Sequence, residues 1–265
     1  MTLFEAIFLG LVQGFTEVLP ISSSGHLILV PWFFNFNDPG LSFDVALHLG
    51  TLIAILVYFR SDVMNYAQGF VKAVAKREIK EVNEKMAFYI ILATIPGVIA
   101  GVLLNDYAED SFRNPLLIAF TIFFFGLVLL YAEKKSGKKQ IADYTAKRSF
   151  ITGLAQAIAI IPGISRSGVT MSGSMLQGFS RETAARFSFL ISIPIIAGAG
   201  LYQVPKMPVA DLATPYFWAG LISAVFASFI SVKFLMSFVR NHKLNIFAYY
   251  RFVLAALIIV LYLVK

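Results

Sequence analysis

The sequence predicts an all-α integral membrane protein with six transmembrane helices and two re-entrant helix hairpins, arranged as an inverted-topology repeat. Three observations predict this fold: an apolar composition, two apolar stretches interrupted by polar residues, and the placement of the basic residues. Of the 265 residues, 58% are hydrophobic and 14% are charged, against roughly 45–50% and about 25% in soluble domains. A soluble domain of this length cannot bury so much apolar surface, which excludes a soluble enzyme and a disordered chain.

Two apolar stretches, 3–33 and 149–179, are each interrupted by a short polar segment that contains Pro and Gly. Knot one is LPISSSGH at 19–26, and knot two is IPGISRSG at 161–168. Because Pro and Gly interrupt helical hydrogen bonding, each half is too short to cross a bilayer alone. Irregular backbone at membrane depth is tolerated only where protein or a wet cavity surrounds it. We therefore expect each stretch to enter and leave on one side. The alternative is eight full spans.

Six further stretches are long and apolar enough to cross, since a spanning helix needs about 20 mostly apolar residues. They cover 44–60, 86–104, 116–132, 185–203, 215–238 and 246–264. The intervening segment 60–85 is predicted to be an amphipathic connection on the cytoplasmic side.

The basic residues test this topology, because Lys and Arg concentrate in the cytoplasmic loops of membrane proteins. Sixteen of the 22 basic residues fall in four segments, 60–85 and 133–148 with six each, and 179–186 and 239–245 with two each. Two other segments have one each, Arg113 in 105–115 and Lys206 in 204–214. With two re-entrant hairpins every loop falls on its required side. The basic residues lie in short clusters between apolar runs, and this pattern argues against a nucleic-acid partner despite the net charge of +7.

An internal repeat supports the same arrangement. The tetrapeptide at 10–13, GLVQ, recurs as GLAQ at 153–156, and each is followed by its knot. Each half is then a hairpin followed by three spans, and because three is odd the second half is inverted. The predicted repeats are 1–133 and 149–265, joined by a cytoplasmic linker at 134–148 within one compact membrane domain. The knots then meet near the midplane, where inverted-repeat membrane proteins build their central site.

The groups capable of chemistry concentrate at the knots. Ionisable residues at membrane depth cost about 2.5–3.5 kcal/mol on insertion and mark functional sites. The candidates are Gln13, Glu17, Ser22, Ser23 and His26 around knot one, and Ser165, Arg166, Ser167, Gly168 and Thr170 around knot two. Ser hydroxyls can act as nucleophiles, with Glu17 and His26 as acid or base and Glu17 also a candidate metal ligand. The absence of Cys excludes a Cys-nucleophile phosphatase.

Knot two is predicted to cradle a phosphate. The planar guanidinium of Arg166 matches phosphate oxygens bidentately, and the residues after it open a short helix whose free N–H groups favour an anion. Structural interpretations remain open, since membrane Ser residues often pack or bond to backbone and Arg166 could serve only as a partner for Glu17. Asp44 and His48, one turn apart, are expected to be structural or orienting, and Arg251 is expected to snorkel.

QGFTEVLPISSSGH (13–26) and PGISRSG with Thr170 (162–170) resemble the two signature motifs of the bacterial undecaprenyl-diphosphatase family, the bacitracin-resistance proteins. The resemblance covers essentially the whole chain, including YRFVLAA at 250–256. The family pattern has Glu or Gln, three residues and then Glu. Here these residues are Gln13 and Glu17. A metal site that needs two carboxylates would therefore have only one here. The family's Ser, His, Arg and Thr fall on Ser23, His26, Arg166 and Thr170.

The resemblance implies a multi-pass enzyme of the bacterial plasma (inner) membrane with its active site open to the periplasmic or outer side. It would hydrolyse a C55 polyprenyl diphosphate with a divalent cation, Mg²⁺ or Ca²⁺, recycle the lipid carrier for peptidoglycan and confer bacitracin resistance. We expect Ser23 to be the nucleophile, with His26 and Glu17 sharing proton transfer. A competing hypothesis makes Ser23 a phosphate ligand, with water or His26 attacking.

Transport is the alternative function from a different class, because inverted repeats with midplane knots also build transporters and the lipid monophosphate could be flipped. A second class of lipid phosphatases has a Ser-Arg pair followed, after five residues, by a His. Here the pair is Ser165-Arg166, and the corresponding position, 172, is Ser. Membrane lipids are expected partners. The oligomeric state stays open and includes a homodimer.

Overall fold

The computed structural model of the protein describes residues 1–36, 40–109, 114–208 and 212–264. These residues form no β-strand, which confirms the all-α fold class. In chain order the helices are α1 (Leu3–Val18), α2 (Ser23–Phe34), α3 (Gly40–Tyr58), α4 (Arg60–Lys76), α5 (Val82–Glu109), α6 (Pro115–Lys135), α7 (Ala146–Ile158), α8 (Arg166–Leu176), α9 (Arg181–Gln203), α10 (Pro215–Asn241) and α11 (Asn245–Val264).

Five helices in the described part of the chain, α5, α6, α9, α10 and α11, are long and apolar enough to span a membrane. A sixth, α3, passes the same test together with α4, from which it is separated by a bend of 82°. Five of the six predicted spans therefore correspond to helices that are long and apolar enough alone, and the first, 44–60, corresponds to α3, which passes only together with α4. The segment predicted as an amphipathic connection begins as α4, which buries one face through Tyr66, Gly69 and Ala73. Arg113, one of the two isolated basic residues, lies outside the described residues.

Two helix pairs, α1–α2 and α7–α8, occupy the stretches predicted to be re-entrant. The longest of the four helices, α1, has 16 residues, so at about 1.5 Å per residue it is about 24 Å long, short of the roughly 30 Å hydrocarbon core. The other three have 12, 13 and 11 residues. Each pair is broken at its knot, and this geometry disfavours eight full spans.

The two knots contain the same unusual backbone conformation. Ser22 and Ser165 adopt positive φ values of 78° and 73°, a conformation that costs a non-glycine residue of order 1–3 kcal/mol. Each serine is the N-cap of the helix that follows, and its hydroxyl accepts the N–H of Gly25 at 3.3 Å or of Gly168 at 3.1 Å. Capping partly offsets the strain, and it fixes where α2 and α8 begin.

The first helix of each hairpin packs against a span from the other half of the chain. Helix α1 lies along α10, and α7 lies along α5. Glycines allow the close approach, since a Cβ on Gly14 would lie 2.7 Å from the Ala224 carbonyl oxygen and a Cβ on Gly153 would lie 2.5 Å from the Ala93 carbonyl oxygen. The two hairpins are thereby held beside each other, and α1 also contacts α8.

The segment between α6 and α7 is fastened to the end of α8. Gly137 N donates to the Phe179 carbonyl at 3.1 Å, and Lys139 Nζ donates to the Gln177 carbonyl at 2.6 Å. The Tyr144 ring stacks on Phe179 and on Phe187, each at 3.9 Å between centroids. Burial raises the pKa of Tyr144, so its phenol stays protonated. The predicted linker is therefore packed against the second half, while the division into two repeats stays a prediction.

Candidate active site

Glu17 is the centre of the polar cluster that joins the two knots. It lies in the last turn of α1 and is 5% exposed. Its Oε1 accepts a hydrogen bond from Arg166 Nη2 at 2.6 Å. Its Oε2 accepts one from the Ser23 hydroxyl and one, at 3.3 Å, from Gln13 Nε2. Gln13 reaches it because residues four apart share a helix face. A buried carboxylate needs such donors, since an unpaired charge is strongly disfavoured there.

Arg166 brings knot two to this carboxylate from the first position of α8. Its second terminal nitrogen, Nη1, donates to the Ser188 carbonyl of α9 at 3.1 Å. Thr170 supports the same corner, because its hydroxyl donates to the Arg166 carbonyl at 2.8 Å and lies 2.6 Å from the Ser188 hydroxyl. The guanidinium is therefore held on both sides and retains only partial exposure, with 13% of the side chain accessible.

Hydroxyls complete the junction between the knots. Ser167 Oγ donates to the Leu19 carbonyl of knot one at 3.1 Å and lies 3.3 Å from Ser165 Oγ. Ser165 Oγ in turn accepts the N–H of Gly168. In knot one, Ser22 Oγ lies 3.5 Å from Ser24 Oγ. The structure thus places the two knots in direct contact, with a carboxylate, a guanidinium and several hydroxyls gathered at the junction.

His48 joins the cluster from α3, which the sequence analysis did not foresee. Its Nε2 lies 3.2 Å from Glu17 Oε2, and its Nδ1 lies 2.6 Å from the Asp44 carbonyl. The expected orienting role did not include a contact with the predicted catalytic carboxylate. The signal was the presence of Asp44 and His48 at membrane depth in an otherwise apolar span.

His26 has hydrogen-bond partners other than Glu17, and the expected sharing of proton transfer between the two side chains stays a prediction. Its Nδ1 lies 2.6 Å from the Ser22 carbonyl, one turn back, so its Nε2 is directed to α11. There it lies 2.7 Å from the Tyr250 hydroxyl, and the two rings stack with centroids 5.8 Å apart. The Ser22 contact therefore orients the ring towards Tyr250 of the C-terminal helix.

Arg251 is fully buried, so the expectation that it snorkels was wrong. Its Nη2 donates to the carbonyls of Gly163 and Ile164 in knot two, each at 2.6 Å. These carbonyls lie within reach of α11 and give the guanidinium polar partners inside the protein. Its Nε and Nη1 have no hydrogen-bond partner among the described residues.

Oxygen donors suited to a hard cation are present beside Glu17. Gln13 Oε1 is buried and has no hydrogen-bond partner within the described residues, and carboxylate and amide oxygens are ligands that Mg²⁺ and Ca²⁺ accept. The part of the chain that the structure describes contains no group of three or more His, Asp or Glu side chains placed to hold a metal ion. The donors fit a cation that takes its remaining ligands from a bound diphosphate, as Mg²⁺ commonly does with phosphate substrates.

The comparisons with known proteins agree on one family. The family model described as bacitracin resistance protein BacA matches residues 6–257. A relative from Moorella thermoacetica, named undecaprenyl-diphosphatase, is 47% identical over 263 residues, which cover 99% of this chain and 98% of the relative. Relatives of the same name from Desulforudis audaxviator and Pelotomaculum thermopropionicum are each 45% identical. They cover 100% and 98% of this chain, and 100% and 97% of their own lengths.

Proposed function

The chain belongs to the bacitracin resistance protein BacA family, and we propose that it hydrolyses undecaprenyl diphosphate to the monophosphate and inorganic phosphate. This reaction recycles the lipid carrier for peptidoglycan synthesis and underlies bacitracin resistance. The observation that carries the assignment is the Glu17 carboxylate, held between the Ser23 hydroxyl and the Arg166 guanidinium at the junction of the knots. A nucleophile hydrogen-bonded to a base, beside a phosphate-matching cation, is the arrangement that phosphoryl transfer needs.

In the proposed reaction, Ser23 Oγ attacks the terminal phosphorus and Glu17 takes the hydroxyl proton. The new O–P bond forms as the bond from that phosphorus to the bridging oxygen breaks, and the polyprenyl monophosphate leaves with that oxygen. Water then attacks the phosphoserine, His26 takes a proton from that water, and Glu17 returns its proton to Ser23 as the bond from phosphorus to Ser23 Oγ breaks and inorganic phosphate is released. The competing hypothesis keeps Ser23 as a phosphate ligand, with water or His26 attacking. Direct attack by His26 is disfavoured because its Nε2 already contacts the Tyr250 hydroxyl.

Arg166 is also proposed to control when Glu17 can act as the base, because the two side chains are hydrogen-bonded to each other. A bound diphosphate competes with Glu17 for the guanidinium, and the planar fork favours phosphate oxygens. Substrate binding then frees the carboxylate to accept the Ser23 proton. The capped start of α8, with Ser165 and the N–H of Gly168, adds donors beside the guanidinium, where a helix N-terminus favours an anion.

A divalent cation, Mg²⁺ or Ca²⁺, is part of the proposal. Glu17 and Gln13 Oε1 would hold it, with diphosphate oxygens as further ligands. When bound, it supplies positive charge that neutralises the phosphate oxygens.

The proposed setting is the bacterial plasma membrane, with the site open to the outer side. The helices support a multi-pass membrane protein, and the basic clusters of the sequence favour this orientation. An inverted repeat of 1–133 and 149–265 is part of the proposal. It is supported by the matching backbone at Ser22 and Ser165 and by the packing of α1 on α10 and of α7 on α5.

The purified protein is expected to release inorganic phosphate from undecaprenyl diphosphate in detergent micelles, where no two-sided membrane exists. A colorimetric phosphate assay measures the rate, with and without a chelator. Loss of release in the chelator, and its return with added Mg²⁺ or Ca²⁺, would support the cation. Under the alternative function, a flippase would release no phosphate in micelles.

Ser23 should carry a phosphoryl group during turnover. We expect acid-quenched single-turnover reactions with terminally labelled diphosphate to yield a protein whose label maps to position 23. Ser24→Ala is the matched control and should keep the label, because among the described residues the Ser24 hydroxyl hydrogen-bonds to Ser22 and not to Glu17 or Arg166. An unlabelled protein in reactions that do release phosphate would favour attack by water or His26.

A further inference from the structure

We infer that two consecutive residues of α11, Tyr250 and Arg251, are positioning residues, each holding one knot. Tyr250 contacts His26 of knot one, and Arg251 contacts the carbonyls that lead into the phosphate cradle of knot two. The inference rests on the proposed function, because it assigns these residues to the geometry of that site. It adds the C-terminal helix to a site otherwise built from the two hairpins, α3 and α9.

The hydrogen-bond chemistry of His26 assigns the role of Tyr250. A carbonyl oxygen only accepts, so the 2.6 Å contact with Ser22 O requires the proton on Nδ1. In the neutral ring, Nε2 is then the only nitrogen with a lone pair, and it accepts the Tyr250 O–H at 2.7 Å. A hydrogen bond of this kind fixes both the tautomer and the direction of an imidazole. Tyr250 thereby aims the only nitrogen of His26 that can accept a proton.

Arg251 acts on the other knot through backbone. Its two acceptors, the carbonyls of Gly163 and Ile164, directly precede Ser165, whose positive φ and hydroxyl cap set the start of α8. The Thr121 hydroxyl holds the preceding carbonyl, that of Pro162, at 2.7 Å. Fixing three successive carbonyls fixes the peptide planes that place Arg166. No described carboxylate forms an ion pair with Arg251, so the two carbonyls are the groups that stabilise its buried guanidinium. This pairing with backbone alone fits a positional task.

The two residues should therefore have different kinetic signatures. Tyr250→Phe keeps the stacked ring and removes one O–H, and we expect kcat to fall at least about ten-fold while KM is unchanged. Arg251→Lys keeps the charge but has a shorter side chain, so its nitrogen falls short of the position from which Arg251 Nη2 donates to both carbonyls. We expect KM to rise about ten-fold. Thr121→Val removes the neighbouring hydrogen bond to knot two and should also raise KM. This variant tests the same restraint if the Arg251 variant fails to fold. Tyr249→Phe, an exposed ring beside Tyr250, should match the wild type.

A spectroscopic readout tests the Tyr250 contact without turnover. In ¹⁵N-histidine-labelled protein, three residues contribute signals, His26, His48 and His242, and a His26→Gln sample identifies the first. We expect a protonated Nδ1 and an unprotonated Nε2 for His26, with the Nε2 signal shifting in Tyr250→Phe and not in Tyr249→Phe.

The outcomes separate the inference from the function on which it rests. A wild-type protein that releases no phosphate overturns the proposed function, and the ¹⁵N signals still decide the Tyr250 contact. A wild-type protein that releases phosphate, with Tyr250→Phe kinetics and His26 signals equal to those of Tyr249→Phe, overturns the assignment of Tyr250. Unchanged KM in both Arg251→Lys and Thr121→Val overturns the assignment of Arg251.

Discussion

Replacing Glu17 with Gln should lower kcat for phosphate release by about 10²–10⁴-fold, the usual contribution of an acid–base group. The amide keeps the size of the side chain and can still accept from Ser23, but it cannot take the hydroxyl proton. Arg166 also loses its charged partner, so substrate affinity should fall much less than kcat. Initial rates of phosphate release at saturating and limiting substrate separate the two effects.

Glu5→Gln is the matched control for this variant. Glu5 lies at the other end of α1, where it forms a capping box with Thr2, and its replacement should leave the rate unchanged. Glu17→Asp tests folding, because it retains the charge while drawing the carboxylate back from Ser23. A Glu17→Gln protein that elutes as the wild type does and keeps near-full activity would remove Glu17 from the mechanism.

Replacing Arg166 with Ala should lower kcat/KM by about 10³-fold or more, in line with the contribution of arginines that stabilise transferring phosphoryl groups. The variant removes the fork for phosphate oxygens and leaves Glu17 with only neutral donors and His48. Arg166→Lys restores a charge without bidentate geometry and should recover only part of the loss. Full kinetics on both variants, under one cation concentration, measure the effect.

Two comparisons test whether the Arg166–Glu17 pair has a purely structural role. Arg240→Ala removes an exposed ion pair, with Glu182 at 2.9 Å, and should leave the rate unchanged since such pairs contribute little. The double replacement Glu17→Gln with Arg166→Gln removes both charges. A structural pair predicts that the double variant recovers activity relative to each single variant, whereas our mechanism predicts that it stays inactive.

The spans and the knots could be predicted because their signals are local. Apolar length, Pro and Gly interruptions and clustered basic residues are each visible within a few turns of helix, and they also placed Glu17 and Arg166 on facing knots. The repeat offset could be found in the same way, because it needs only the order of residues.

The remaining partners depend on helix rotation and depth, which the sequence pattern does not record. Helix α11 is apolar on nearly all sides, so its periodicity did not show that Tyr250 faces His26. Arg251 was expected to snorkel because its distance from the end of the span is short, yet the carbonyls of knot two lie within reach of it. His48 was left without a partner for the same reason, since α3 meets α1 only through tertiary packing.

The packing of α1 on α10 has a consequence for biogenesis. The ribosome releases the amino-terminal hairpin long before α10, which begins at Pro215, and Glu17 meets Arg166 only after a further 149 residues. Until then its carboxylate lacks that guanidinium, and an ionisable side chain at membrane depth costs about 2.5–3.5 kcal/mol on insertion scales. The packing of α1 on α10 and the Glu17–Arg166 pair can therefore form only after most of the second half of the chain has been made. A nascent chain stalled before α10 would present a loose, acidic hairpin to membrane quality-control proteases.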